Sequence, residues 1–198
     1  MTPARLGFRV GMIATGLAVA LSLAGCVQPV AAPPTPSAHD SASSTPTQKP
    51  TPTVTPTSEA FVENCGTLIT ADQLYAYNPN YVVDSSYAPK SGTLAAAVKD
   101  QLGQTCGWIN ESSGALLEVA IATPTPTDFA AAKSAAANGT AISANGERGY
   151  FGATAGIGSA QFFIGRFWLV VSSPDFTTPA DAEAISPVVV KNQMAAGG

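Results

Sequence analysis

The residue types that most often carry chemistry are sparse and scattered in this sequence. Its one histidine, His39, lies among Pro, Ser and Thr, outside every patterned stretch, and reads as a solvated residue. A Ser-His-Asp or Cys-His relay therefore has no base in the patterned part of the chain. Gly156-Ile157-Gly158-Ser159 does not have the Gly-x-Ser-x-Gly spacing of a nucleophile elbow. Gly152-Ala153-Thr154-Ala155-Gly156-Ile157-Gly158 has the glycines of a phosphate loop, but no Lys-Ser/Thr follows them, and it reads as a flexible loop between strands. The three cysteines, Cys26, Cys65 and Cys106, are too far apart for the ligand spacing of a zinc site. Eleven Asp and Glu follow Glu59. Glycoside hydrolysis needs two of them paired, and no spacing singles out a pair. The expectation is no catalytic residue, no metal ligand and no cofactor.

Aromatic residues carry the binding alternative. Tyr75, Tyr77, Tyr81 and Tyr87 fall within 13 residues, in a region otherwise polar and rich in turns. Tyrosine has an apolar body and a polar tip, and it suits exposed recognition surfaces. Tyr75 occupies a helical position that can face a core, whereas Tyr81 and Tyr87 read as loop residues available to a ligand. Trp108, beside Cys106, reads as core packing. Trp168 sits between Phe167 and Leu169 and can lie on either face of its strand. Arg166 falls at a hairpin tip. The candidate ligand-binding residues are thus Tyr77, Tyr81, Tyr87, Trp168 and Arg166; the bland alternative is that the tyrosines cover a sheet edge and Arg166 is a turn residue.

The amino-terminal residues read as an address. Arg5 and Arg9 precede an uncharged apolar stretch from Val10 to Leu23, and small residues Ala24 and Gly25 stand directly before Cys26. The stretch is short for a bilayer crossing, which takes about 20 apolar residues. Leu23-Ala24-Gly25-Cys26 resembles the lipobox of bacterial lipoproteins. That resemblance implies cleavage before Cys26, acylation of its thiol (palmitate among the chains), and a lipid-anchored protein facing outside the cell membrane. Two acyl chains anchor stably where one does not. Residues 1–25 are then a signal peptide, 26–60 the anchor and a linker, and 61–198 an extracytoplasmic domain. Of the 32 residues from 27 to 58, 8 are Pro, 7 Thr and 5 Ser. Such a segment buries too little apolar surface to offset the entropy of ordering it, and its Thr-Pro steps favour extended conformations.

Charge narrows the partners. The 198 residues carry a formal net charge of −4, and only 11% are charged. Removal of Arg5 and Arg9 takes the charge from −4 to −6. No basic face remains to neutralise phosphates, so no nucleic acid is expected. Expected partners are the membrane, through the lipid, and a cell-wall component or envelope protein.

From Phe61 onward, Val, Ile, Leu and aromatics appear in patterned runs long enough for one core. With Cys26 acylated, two cysteines remain in an oxidising compartment, so Cys65 and Cys106 are expected to pair. Thr70-Ala71-Asp72-Gln73 has the form of a capping box, opening a short helix that ends before Asn78-Pro79. A second helix is expected over Gly92–Leu102, and a third over Asp128–Ala137 capped by Thr127. Strands are expected at Thr105–Asn110, Ala115–Thr123, Arg148–Ala153, Ala160–Ile164 and Phe167–Ser172. Asn145-Gly146 and Gly165-Arg166 are their turns. Thr178-Pro179 opens a last helix, which Pro187 should kink or split near Ser186. Leu117, Val119 and Ile121 alternate with Glu118 and Ala120, as in a strand with one solvated face. The expected class is α+β: an antiparallel sheet of about five strands with helices packed mainly on one face.

Asn64-Cys65-Gly66-Thr67-Leu68-Ile69-Thr70, with the later Cys106-Gly107-Trp108, is similar to actinobacterial secreted lipoproteins of unknown function. Those proteins carry a Cys-x-Leu-Leu-Thr-like start and a Cys-x-Trp strand behind a lipobox and a Thr/Pro-rich tether. Some extracellular kinase sensor domains from the same bacteria look distantly alike. The resemblance implies an α+β envelope domain, the Cys65–Cys106 bridge and a ligand- or partner-binding role, and it brings no catalytic residues. The alternative is a structural or assembly accessory of an envelope complex, with a carboxylate-dependent wall hydrolase third. The anchor has a direct check: labelled fatty acid should enter the wild-type chain in cells and fail to enter Cys26→Ala. Incorporation that survives the substitution removes the lipobox reading.

Overall fold

The computed structural model describes residues 56–197, so the expected signal peptide, Cys26, His39 and most of the expected linker lie outside the described residues. Among the described residues there are six helices and seven strands. In chain order these are α1 (Cys65–Leu68), α2 (Ala71–Tyr77), β1 (Tyr81–Val83), α3 (Leu94–Asp100), β2 (Gln104–Asn110), β3 (Leu116–Ala122) and α4 (Pro126–Ala136). They continue as β4 (Thr140–Ala144), β5 (Glu147–Thr154), β6 (Ile157–Ile164), β7 (Phe167–Ser173), α5 (Pro179–Glu183) and α6 (Ser186–Gly197). All strands join one antiparallel sheet in the order β1-β2-β3-β7-β6-β5-β4. The class is α+β. No described helix is long and apolar enough to cross a membrane.

The sheet has seven strands where about five were expected. The two additions are its edges. β1 is three residues long, squeezed between the turns at Asn78-Pro79-Asn80 and Asp84-Ser85-Ser86. β4 is built from Thr, Ala and Ser around a single Ile142, so its own propensity for a strand is weak, and its register comes from the Asn145-Gly146 turn that folds it onto β5. β6 also starts earlier than expected. The glycine-rich stretch Gly152–Gly158 is not a flexible loop but the end of a hairpin, with Thr154 opposite Ile157. At its tip Ala155 and Gly156 take φ 52° and 80°, close to the 51° and 87° of Asn145 and Gly146. The left-handed conformation costs a non-glycine residue about 1 kcal/mol, which is why an alanine there hid the turn. α4 begins one Thr-Pro earlier than expected. Thr125 caps it by accepting from the Asp128 N–H, and Pro126 takes the first turn, where its missing donor costs nothing.

The second correction concerns layers. Helices pack on both faces of the sheet, not mainly on one. The first face buries Leu117, Val119, Ile121, Phe162, Leu169 and Val171 beneath α1, α2, α5 and α6. The second buries Ala120, Ala122, Phe163, Trp168 and Val170 beneath α3 and α4. The reason is in β7, whose seven residues are all buried. A strand whose first five residues, Phe167–Val171, are apolar without alternation needs cover on both sides. Each large side chain withdrawn from water here contributes about 1.5–3 kcal/mol before entropy is subtracted.

Several local expectations hold. Thr70 and Gln73 form the reciprocal capping box of α2. Gly165-Arg166 joins β6 to β7 as a two-residue turn, and the last helix splits into α5 and α6 just before Pro187. Cys65 and Cys106 form a disulfide, with Cα atoms 5.6 Å apart, tying α1 to β2 beside the buried Trp108. The bridge closes a loop with a sequence separation of 41. On the chain-entropy account it restricts the unfolded chain by about 4 kcal/mol. Replacing both cysteines with serine should therefore lower the urea unfolding free energy by about that amount, and mass analysis of the chain purified from cells should find no free thiol at either position.

Candidate ligand-binding groove

Uneven cover of the second face creates a wide concavity. Six strand spacings of about 4.8 Å make a sheet roughly 29 Å wide. A helix with its side chains is about 10 Å across. α3 lies over β2, β3 and β7, and α4 lies toward β5. Two helices cannot cover this width, and the strip over β7 and β6 is left open between them. α4 is pinned to its side by Phe129, whose ring meets Phe163 edge-on at 5.4 Å. Both helices face the gap with small side chains: Ala96 and Ala97 from α3, and Ala132, Ala135 and Ala136 from α4. The result is a groove of about 990 Å³.

Its floor is a polar row in an apolar sheet. The strand register places Gly107 opposite Glu118, Glu118 opposite Ser172, Ser172 opposite Ser159, and Ser159 opposite Gly152. These five residues cross five neighbouring strands on one face. The Ser172 hydroxyl donates to Ser159 at 2.8 Å. In the next row, Gln161 accepts from the Trp168 indole N–H at 3.2 Å, which leaves the amide –NH2 of Gln161 as a donor at the groove. Trp168 is itself a lining residue, stacked on Phe163.

Glu118 is the one acidic residue on this floor, and it is only 5% exposed. Tyr87 donates its phenol to Glu118 Oε1 at 2.7 Å. Burial, reinforced by that carboxylate, raises the Tyr87 pKa well above its ordinary value, so the phenol keeps its proton and remains a donor. Tyr87 reaches this position because Gly107 has no side chain; a Cβ there would overlap the tyrosine ring. The loop from Asp84 to Thr93 then continues as one wall of the groove, through Pro89, Lys90 and Ser91. At the rim stand Lys90, Lys99 and Asp100, all exposed. The arrangement suits binding: a deep acceptor, paired hydroxyls, an amide donor and an indole wall.

The five aromatic and basic candidates do not form one site. Trp168 lies on the groove and Tyr87 beside its floor, a half-buried loop residue whose ring packs on Gly107 rather than standing free. Tyr77 and Tyr81 are on the opposite face, stacked at 5.9 Å. Tyr81 is a buried residue of β1, not a loop residue, and donates to Asp175 at 3.2 Å. Arg166 stands at the β6–β7 turn, as expected, with an ion pair to Glu59 at 2.7 Å. Tyr75, read as a residue able to face the core, is 70% exposed. Glu118, Ser159, Ser172 and Gln161 were missed. Their signal was the uninterrupted apolar run of β7, which demands a second covered face and so turns the "solvated" Glu118 into a buried one.

Comparison with known protein families, curated proteins and solved structures finds no match to this chain. Among the described residues, no cluster of three or more His, Cys, Asp or Glu is placed to hold a metal ion.

Tyr81 offers a titration marker for the first face. Burial, opposed by a hydrogen bond with Ser173 and assisted by Asp175, pushes its phenol up to about 12. The folded chain therefore holds this proton more tightly than the unfolded chain does. The stabilisation is complete below pH 10 and is lost as pH rises from 10 to 12. Ultraviolet titration should show one tyrosine ionising near pH 12, absent in Tyr81→Phe, and the variant should lose less stability over that interval than the wild type.

Proposed function

We propose that this chain is a membrane-anchored extracytoplasmic lipoprotein whose domain binds a small ligand in the groove between α3 and α4. The observation that carries the binding reading is the polar row Glu118–Ser172–Ser159 on the floor of a concavity of about 990 Å³. Polar side chains buried in a sheet without need of the core are costly unless they are paired, and a mixed polar and apolar concavity is the default place for a small molecule. The anchor rests on the run Leu23–Cys26 and its resemblance to a lipobox. The likeness to actinobacterial secreted lipoproteins supports the same setting, facing the outside of the cell membrane.

A second reading, an accessory of an envelope complex, draws on the opposite side of the domain. Exposed Tyr75 and Val83 flank an apolar depression of about 450 Å³ next to the edge strand β1. This favours protein contact there, at a surface separate from the groove.

Gly152 provides the test between the two. It lines the groove, its backbone is not left-handed, and a Cβ built on it meets nothing within 4 Å. Gly152→Leu should therefore fold normally while filling the floor. Full-length wild type and Gly152→Leu, purified in detergent, would be titrated with amino acids, diamines, hexoses, hexosamines and muropeptide fragments, with Trp fluorescence as the readout. The groove reading expects at least one of these to bind the wild type and to lose tenfold or more in the variant. Binding that Gly152→Leu leaves unchanged, or no binding across the panel, overturns it.

A further inference from the structure

We infer that the groove selects a ligand carrying a primary ammonium group, with Glu118 as its acceptor. This rests on the groove-binding reading above and names the chemistry of its ligand. Glu118 is a carboxylate nine-tenths buried, and its hydrogen-bond partner among the described residues is a neutral phenol. Among the described residues it takes part in no ion pair; the one ion pair found joins Arg166 to Glu59 at a distant turn. A buried carboxylate is expensive until a cation meets it. Glu118 nevertheless lines the groove, so a bound cation has direct access to it.

The neighbours fit an ammonium better than the alternatives. Tyr87 occupies Oε1, which leaves Oε2 as the acceptor for an incoming N–H. Ser172 lies opposite Glu118 in the register, and its hydroxyl can accept a second N–H of the same group. An anion would face this carboxylate with no arginine or histidine among the lining residues. A neutral diol can satisfy the serines and Gln161 but leaves the charge of Glu118 uncompensated. Lys90 and Lys99 carry the opposite sign, but both stand exposed on the rim with Asp100 next to Lys99. Exposed charges are screened over about 8 Å at physiological ionic strength. Beyond the ammonium, the alanine walls and Trp168 provide an apolar surface for the body of the ligand.

The test uses matched pairs on the full-length chain in detergent, by isothermal titration. Putrescine is compared with 1,4-butanediol and succinate, and glucosamine with glucose. The two pairs separate an alkyl amine from an amino sugar as the source of the ammonium. The expected result is that at least one amine binds, and that its neutral or anionic counterpart binds at least tenfold more weakly. Glu118→Gln should reduce the amine affinity by roughly 10- to 100-fold, as expected for loss of a charge-assisted hydrogen bond. It should leave any diol or sugar binding within about twofold. Gly152→Leu should abolish amine binding.

Amine binding that Glu118→Gln leaves intact but Gly152→Leu removes would overturn the ammonium assignment and leave the groove reading standing. Amine binding indifferent to both substitutions would overturn both. A diol or hexose that matches its amine counterpart in the wild type overturns the assignment, as does the absence of amine binding. Should Glu118→Gln fail to fold, the ratio of amine to neutral affinity in the wild type decides by itself.

Discussion

β3 and β7 stand far apart in the chain yet pair at the centre of the sheet, Glu118 against Ser172 and Ala122 against Trp168. This pairing joins two local meanders, β1–β3 and β4–β7, into one sheet. Joined, they sandwich β7 between two layers of helix. The same register that brings Val119 to Val171 for the first core brings Glu118 to Ser172 for the groove. A slip by one residue would exchange the faces and put the carboxylate into the first core. The groove floor and the main core are therefore specified together, by one non-local interaction.

Much of the fold was legible because much of it is locally encoded. The capping box at Thr70, the turns at Asn145-Gly146 and Gly165-Arg166, and the break before Pro187 each rest on the conformational preferences of a few adjacent residues. The Cys65–Cys106 bridge followed from parity, once an oxidising compartment was expected and Cys26 set aside. What escaped is what depends on neighbours distant in sequence. β1 and β4 are strands because β2 and β5 hold them, not because their composition insists. The turn at Ala155-Gly156 was hidden because alanine accepts there a conformation usually left to glycine or asparagine.

The groove was legible only in fragments. Trp168 and Tyr87 were singled out for their side chains, and both lie at or beside the floor. Their companions in the tyrosine cluster went to the other face, because proximity along the chain is a poor guide once a strand alternates sides. Glu118 looked like the outward residue of a half-solvated strand. That assignment is correct for alternation but silent on what covers the outward side. Only the fully buried β7, with its apolar run Phe167–Val171, carried that information, and reading it required knowing that β3 is its partner.

The entry of the chain into the domain has a mechanical side. Upstream of Cys65, the chain is fastened by the Glu59–Thr123 bridge, by Phe61 against Phe167, and by the contact of Glu59 with Arg166. At Cys65 a covalent bond then passes directly to β2. Tension drawn through the amino-terminal segment is thus handed to the central sheet by a bond that does not yield like a hydrogen bond. The stretch between the two cysteines, including Tyr87 and all of α3, is bypassed by that covalent bond but packed on the sheet by its own contacts. A pull on that segment would strain the clasp at Glu59 and, through the bonds of Ser58 to Gln101 and of Phe61 to Leu102, would also reach the end of α3.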